Sequence, residues 1–131
     1  MATVPTLLAI LTCDTIIIDA ATRKKSLIGL FDQINAQATP TTQRLGFYAR
    51  LTDAEGEYTF IVRIVQLGKE EKLIAAVRTD PITCKDRLGF LDIALNTPPI
   101  PIPEFGRYEL QLFSNDVYIG RALVNVVPME A

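Results

Sequence analysis

The sequence predicts one all-β domain spanning residues 1–131, a sandwich of about eight short and mostly antiparallel strands. Three observations point there. Strand-like segments with two-residue alternation recur at short spacing, turn residues punctuate them, and no segment sustains helical periodicity.

Taken in order, Thr6 to Thr12 with a continuation at Thr15 to Asp19 opens the chain, and its runs Leu7-Leu8-Ala9-Ile10-Leu11 and Ile16-Ile17-Ile18 lack polar alternation. The basic run Arg23-Lys24-Lys25, before a second strand at Ser26 to Ile34, reads as a solvated turn, with phosphate binding as the other reading. Ala36 to Thr42, with Pro40 inside, reads as a long crossing loop between strands that need not be neighbours. Leu45 to Asp53 and Glu57 to Leu67 flank Asp53-Ala54-Glu55-Gly56, which reads as a hairpin turn; Leu67-Gly68-Lys69-Glu70 reads as another, leading into Lys72 to Thr79. Leu88 to Leu95 is the next strand. The segment Thr97 to Pro103 then carries four prolines, which fix φ and remove backbone donors, so it is expected to be extended, outside any ladder, with Ile100 and Ile102 packed beneath. A stiff crossover is one reading of it, and a docking site for a proline-recognition groove is the other.

Arg107 to Phe113 and Val117 to Val127 close the chain and are its most informative stretch. Gly106-Arg107-Tyr108, alternating apolar residues, an Asn115-Asp116 turn and a returning strand form the ending of many immunoglobulin-like sandwiches. Tyr108, Leu110 and Leu112 share one face, and Asn115-Asp116 tolerates the left-handed angles of a two-residue hairpin. That turn sets Leu112 opposite Ile119 and Phe113 opposite Tyr118. Carried onward, the parity buries Arg121 and exposes Val124 and Val126, which a one-residue bulge at Gly120-Arg121 would repair. The Tyr108 hydroxyl is expected to reach back to nearby backbone as a tyrosine corner. Leu110 stands where antibody domains have cysteine, and the chain has no tryptophan, which argues against a true antibody-type domain.

Composition excludes several function classes. The net charge of −2, with both signs interspersed, leaves no footprint for nucleic acid or an anionic membrane. The N-terminus has no basic segment ahead of its short apolar run, so neither a secretory signal nor a membrane span is expected, and cytoplasmic residence follows. With no histidine, the usual general base, the triads that depend on it and most catalytic zinc sites are missing. Two isolated cysteines, Cys13 and Cys84, fall short of a metal site, and spacing does not decide whether they pair. Asp14 with Asp19, or Asp32 with Asp92, could meet as catalytic carboxylates; solvated or backbone-bonded roles at strand ends are the plainer reading. Asp53 and Glu55 lie on one loop and Asn115 and Asp116 on another, and neither is dense enough for a calcium cage. No catalytic, cofactor-binding or metal-binding residues are assigned, and no cofactor is expected.

The stretch Cys13-Asp14 through Asp19, Ser26-Leu27-Ile28-Gly29-Leu30-Phe31-Asp32-Gln33-Ile34, Phe47-Tyr48-Ala49-Arg50-Leu51-Thr52 and the Gly106-x-Tyr108 ending together resemble a family of short, uncharacterised bacterial β-sandwich proteins, a domain of unknown function. The resemblance covers most of the chain. It implies the fold and a bacterial origin, and brings no activity, cofactor or site residues.

Apolar residues make up 49% of the chain, rich for a sandwich with two wetted outer surfaces. Ile61 and Val65 make the second face of Tyr58 to Val65 partly apolar as well. Cover by a second copy of the chain, or by a crossing segment of the same chain, would account for the excess. The expected function is therefore a non-enzymatic interaction or assembly subunit, a homo-oligomer self-associating through an apolar strand face, with an unidentified protein partner also open. The alternative is a small-ligand or carbohydrate-binding module, for which Tyr48 or Tyr118 exposed beside carboxylates would be the mark.

Overall fold

A computed structural model describes residues 2–129 of the protein and is all-β: thirteen strands and no helix among those residues. The strands are β1 (Thr6–Ile18), β2 (Lys25–Leu30), β3 (Gln33–Ala36), β4 (Thr41–Gln43), β5 (Gly46–Thr52), β6 (Gly56–Tyr58), β7 (Phe60–Gln66), β8 (Lys72–Arg78), β9 (Ile82–Cys84), β10 (Leu91–Asn96), β11 (Ile100–Ile102), β12 (Gly106–Ser114) and β13 (Val117–Pro128). A four-stranded sheet in the order β10-β5-β1-β2 and a five-stranded sheet in the order β3-β13-β12-β7-β8 form the two layers, with small ladders β11-β4 and β6-β9 beside them. All pairings are antiparallel except β13 with β3.

One core joins the layers. Phe47, Ala49 and Leu51 of β5 and Ile93 of β10 meet Phe60, Val62 and Ile64 of β7, Tyr108, Leu110 and Leu112 of β12, and Val124 and Val126 of β13. Each set is spaced by two, as a half-buried strand requires. The expected core face of Tyr58, Phe60, Val62 and Ile64 is buried as a unit. Val65, on the opposite face, is buried too, directly across from Glu109, and Arg63 between Ile61 and Val65 lays its guanidinium 4.7 Å from the Phe113 ring. The second face of β7 is thus largely covered by its own chain.

The closing hairpin follows the sequence in kind and departs from it by one residue. Asn115 and Asp116 both take positive φ, 46° and 68°, and Phe113 lies opposite Tyr118. Leu112 faces Gly120 instead of Ile119, so the bulge is at Ile119, one position before the expected Gly120-Arg121. A Cβ at Gly120 would meet the end of the Leu7 side chain of β1. With the extra residue absorbed, Val124 and Val126 turn inward and Arg121 outward. Tyr108 is buried, and its hydroxyl donates to the Glu104 carbonyl at 2.7 Å, the expected tyrosine-corner contact.

Other expectations are corrected by the topology. Residues 53–56 are a crossover: β5 belongs to the four-stranded sheet and β7 to the five-stranded one, so they cannot form a hairpin. Ser26 to Ile34 divides into β2 and β3, which switch sheets around Phe31-Asp32, while Thr6 to Ile18 is one unbroken strand. The proline segment does enter a ladder, Ile100 to Ile102 against Thr41 to Gln43. A two-stranded edge pairing tolerates a residue without a donor, and Ile100 and Ile102 are buried beneath it as expected. Three-residue strands such as β4, β9 and β11 are too short to show a period in sequence. The Leu67–Glu70 turn does join β7 and β8.

Strand β1 serves two neighbours in succession. Thr6 to Cys13 pairs with β5, and Cys13 to Ile18 pairs with β2. Beyond Cys13 it passes the start of β5 and meets β10, where Asn96 accepts from the Ile16 N–H and donates to the Ile16 carbonyl, each at 2.9 Å. A side chain at Gly46 would collide there, since a Cβ would lie 2.7 Å from Cys13 Sγ and 2.9 Å from Ile16. The β1–β2 hairpin consequently reaches over the outer face of β5 and β10.

Two substitutions test this account. Gly46→Ala is expected to lower unfolding stability by about 1–3 kcal/mol through overpacking, read from the urea midpoint. Tyr108→Phe is expected to cost about 1 kcal/mol, the worth of one hydrogen bond from a buried hydroxyl, and an unchanged midpoint would show the corner to be idle.

Candidate functional site

Alternation along β5 sends Phe47, Ala49 and Leu51 into the core, so Tyr48 and Arg50 stand on the outer face. Asp92 of β10 is directly opposite Arg50. The pair is bidentate: Arg50 Nε donates to Asp92 Oδ1 at 2.8 Å and Nη2 to Oδ2 at 3.0 Å. Lys25, at the start of β2, brings Nζ to 3.4 Å from the same Oδ2. The Arg50 guanidinium also lies 5.2 Å from the Phe90 ring. Arg50, Asp92 and Lys25 floor a cavity of about 490 Å³ between the sheet and the β1–β2 hairpin, lined further by Leu27, Tyr48 and the turn residues Thr22, Arg23 and Lys24.

The electrostatics follow from the partners. Asp92, with a side chain only 14% exposed, titrates below its ordinary value chiefly because Arg50 hydrogen-bonds its ionised form, with Tyr48 and Lys25 adding to the effect. Burial, and then the adjacent Asp92, push the Tyr48 phenol above its ordinary value, so it is a neutral hydroxyl near pH 7. Arg50 is held protonated by Asp92. Four cations, Arg23, Lys24, Lys25 and Arg50, line the cavity against the single carboxylate of Asp92.

A second feature lies on the other side of the hairpin. Leu11, Leu30 and Leu123 line a groove of about 560 Å³ with Asp32 and Arg121 among its walls. Leu30 is 58% exposed and Ile28 46%, and Leu8, Leu11 and Ile17 are exposed nearby in sequence. Strand β2 is the edge of its sheet, paired with β1 on one side only.

The structure separates the carboxylates that the sequence could have paired. Asp92 belongs to the cationic cavity and Asp32 to the groove. Asp19 accepts from the N–H groups of Ala21 and Thr22, each at 2.8 Å, which lowers its pKa and shapes the hairpin turn. Asp14 lies against Gly29. Asp53 accepts from the Thr6 hydroxyl, and Asn115 clamps the Thr59 N–H and the Glu57 carbonyl, so both serve the scaffold. Cys13 and Cys84 are unpaired thiols, and burial raises the pKa of each. Glu109 is buried on the outer face of the five-stranded sheet, where Arg121 Nη1 donates to it at 2.7 Å and Gln111 at 2.9 Å. Among the described residues no three His, Cys, Asp or Glu side chains gather as a metal site, and no helix is long and apolar enough to cross a membrane.

The Arg50–Asp92–Lys25 cluster was not assembled by sequence reasoning, although each member left a trace. Arg50 and Asp92 occupy outward phases of apolar strands, and Lys25 ends the lone basic run. What was missing is the register that sets β5 beside β10 and the bend that lays β2 over both.

Fold and site together define a two-layered β protein with a hairpin arm over a cationic cavity. Residues 8–127 match the model of the Family of unknown function (DUF6941), and the chain belongs to that family. Comparison with curated proteins finds no match. Among solved structures the chain is similar to a crystal structure of beta-glucosidase from Listeria innocua in complex with gluconolactone, with a TM-score of 0.45 and 10% identity over 77% of this chain. The chain spans 15% of that protein's chain, and a likeness of this degree carries no inference about activity.

The Asp92 contacts predict an acid dependence. A carboxyl whose pKa is lower folded than unfolded contributes fully above its ordinary value of 3.8, and the contribution is lost as pH falls through the depressed folded value. Asp92→Asn is therefore expected to lower stability at pH 7 and to flatten the fall of unfolding free energy on acidification below pH ~5, measured by urea titration at several pH values. An acid limb of unchanged slope would remove Asp92 from that role.

Proposed function

We propose that the protein is a non-enzymatic assembly subunit that self-associates through its β1–β2 hairpin, with a second copy of the chain as the partner. The observation that carries the reading is the free edge of β2, whose Ser26-Leu27-Ile28-Gly29-Leu30 run holds neither proline nor charge. Natural edge strands are commonly blunted by such residues because an open ladder recruits another strand. Beside that edge, Ile17, Ile28 and Leu30 are exposed, together with the groove at Leu11 and Leu123. Pairing of β2 with its two-fold mate would extend the four-stranded sheet and cover these side chains, an edge-to-edge mode that reuses main-chain hydrogen bonds. Exposed Ile17, Ile28 and Leu30 favour the first two strands over Tyr58 to Val65 as the associating surface, since Val65 is buried and Ile61 half-buried.

On the same reading the protein is cytoplasmic and bacterial with an immunoglobulin-like sandwich. Free thiols at Cys13 and Cys84 support a reducing compartment, and the Tyr108 corner supports the immunoglobulin-like build. The bacterial origin rests on the sequence resemblance. The non-enzymatic reading is supported by the ties that engage Asp19, Asp92 and Glu109 within the fold.

Light scattering at micromolar concentration is expected to give twice the chain mass of 14.5 kDa. Ile28→Lys, at an exposed position, is expected to return the mass to that of one chain while changing unfolding stability by no more than about 0.5 kcal/mol. A wild-type monomer at that concentration overturns the reading.

A further inference from the structure

We propose that the cavity between the β1–β2 hairpin and the outer face of the four-stranded sheet binds a phosphate monoester. Its phosphate is held by Lys25, Arg50, Arg23 and Lys24, and its organic body rests against Tyr48 and Leu27. The inference is independent of self-association, because Lys25 and Leu27 line the cavity while the alternating Ser26 and Ile28 belong to the opposite face of the hairpin.

Charge is the first argument. Asp92, the one carboxylate of the cavity, is held within the sheet by the bidentate Arg50 and is tied to the hairpin by Lys25. Arg23 and Lys24 have no carboxylate partner among the residues lining the cavity, and four cations gather there against one carboxylate in a chain whose net charge is −2. Like charges brought together repel, and a dianion seated among them removes that repulsion.

Preorganisation is the second. Asp92 occupies the Nε and Nη2 edge of Arg50, Nη1 makes no hydrogen bond among the described residues, and the Phe90 ring lies 5.2 Å from the guanidinium. A planar donor anchored by a bidentate carboxylate loses little freedom when an oxyanion arrives, and such forks suit phosphate. Lys25 adds a point charge at Asp92 Oδ2, the oxygen that Arg50 Nη2 also contacts.

Size and lining are the third. About 490 Å³ falls within the range of roughly 300–1,000 Å³ typical of small-molecule sites, far more than a free phosphate fills. Tyr48, with its phenol neutral near pH 7, offers an aromatic surface and a hydroxyl, and Leu27 an apolar wall. An ester with a compact organic group matches both halves.

Isothermal titration of the full chain at low ionic strength with phenyl phosphate and with inorganic phosphate tests the assignment. Saturable one-to-one binding is expected, with phenyl phosphate tighter by about fivefold or more through its apolar contact, and weakening as salt is added. Arg23→Ala combined with Lys24→Ala, both at exposed turn positions, is expected to weaken phenyl phosphate by about tenfold. Lys24→Glu alone serves as an independent second variant and is expected to weaken it as well. No saturable binding up to about 10 mM, or affinity indifferent to both variants, overturns the site. Equal affinity for the two probes overturns the ester assignment.

Discussion

The passage of β1 over Gly46 governs the arrangement of everything that faces solvent on the four-stranded sheet. Before that point β1 is an ordinary partner of β5; beyond it, the strand leaves β5, takes the Asn96 side chain as a surrogate ladder and carries β2 across the outer face. The crossing is possible because position 46 has no side chain to oppose Cys13 and Ile16. Without it the hairpin would have no fixed position above β5 and β10, Lys25 would not meet Asp92, and no cavity would form over Tyr48.

That constraint also answers the excess of apolar residues. Part of it is absorbed within the chain, as at Ile16 under the arm and at Val65 across from the buried Glu109. Part remains exposed on the arm itself, at Ile17, Ile28 and Leu30, because the strand that covers the sheet has nothing covering its own far side. The hairpin thus has two unlike faces. One is charged and faces the sheet; the other is apolar and open, beside a free strand edge.

Much of the fold was legible in the sequence because two-residue alternation is a local signal. Phe60, Val62 and Ile64, the Tyr108, Leu110 and Leu112 face, and the turn at Asn115-Asp116 could all be read without coordinates, and each is found as read. The bulge was legible in kind, since Val124 and Val126 must turn inward, yet its position at Ile119 is decided by the β12–β13 register, in which Leu112 faces Gly120. The turn at residues 53–56 misled for a related reason: turn chemistry reports a change of chain direction and is silent about which sheet the chain enters next.

By itself, then, the sequence determined the fold class, the buried faces, the tyrosine corner and the absence of histidine chemistry, because composition, parity and φ preference act over a few neighbouring residues. Tertiary structure alone decided which strands are neighbours. Arg50, Asp92 and Lys25 are separated along the chain by 25 to 67 positions and converge only through the β5–β10 register and the bend of β1 at Gly46. Both are long-range packing outcomes, in which one missing side chain sets where a strand can cross and hence which charges meet.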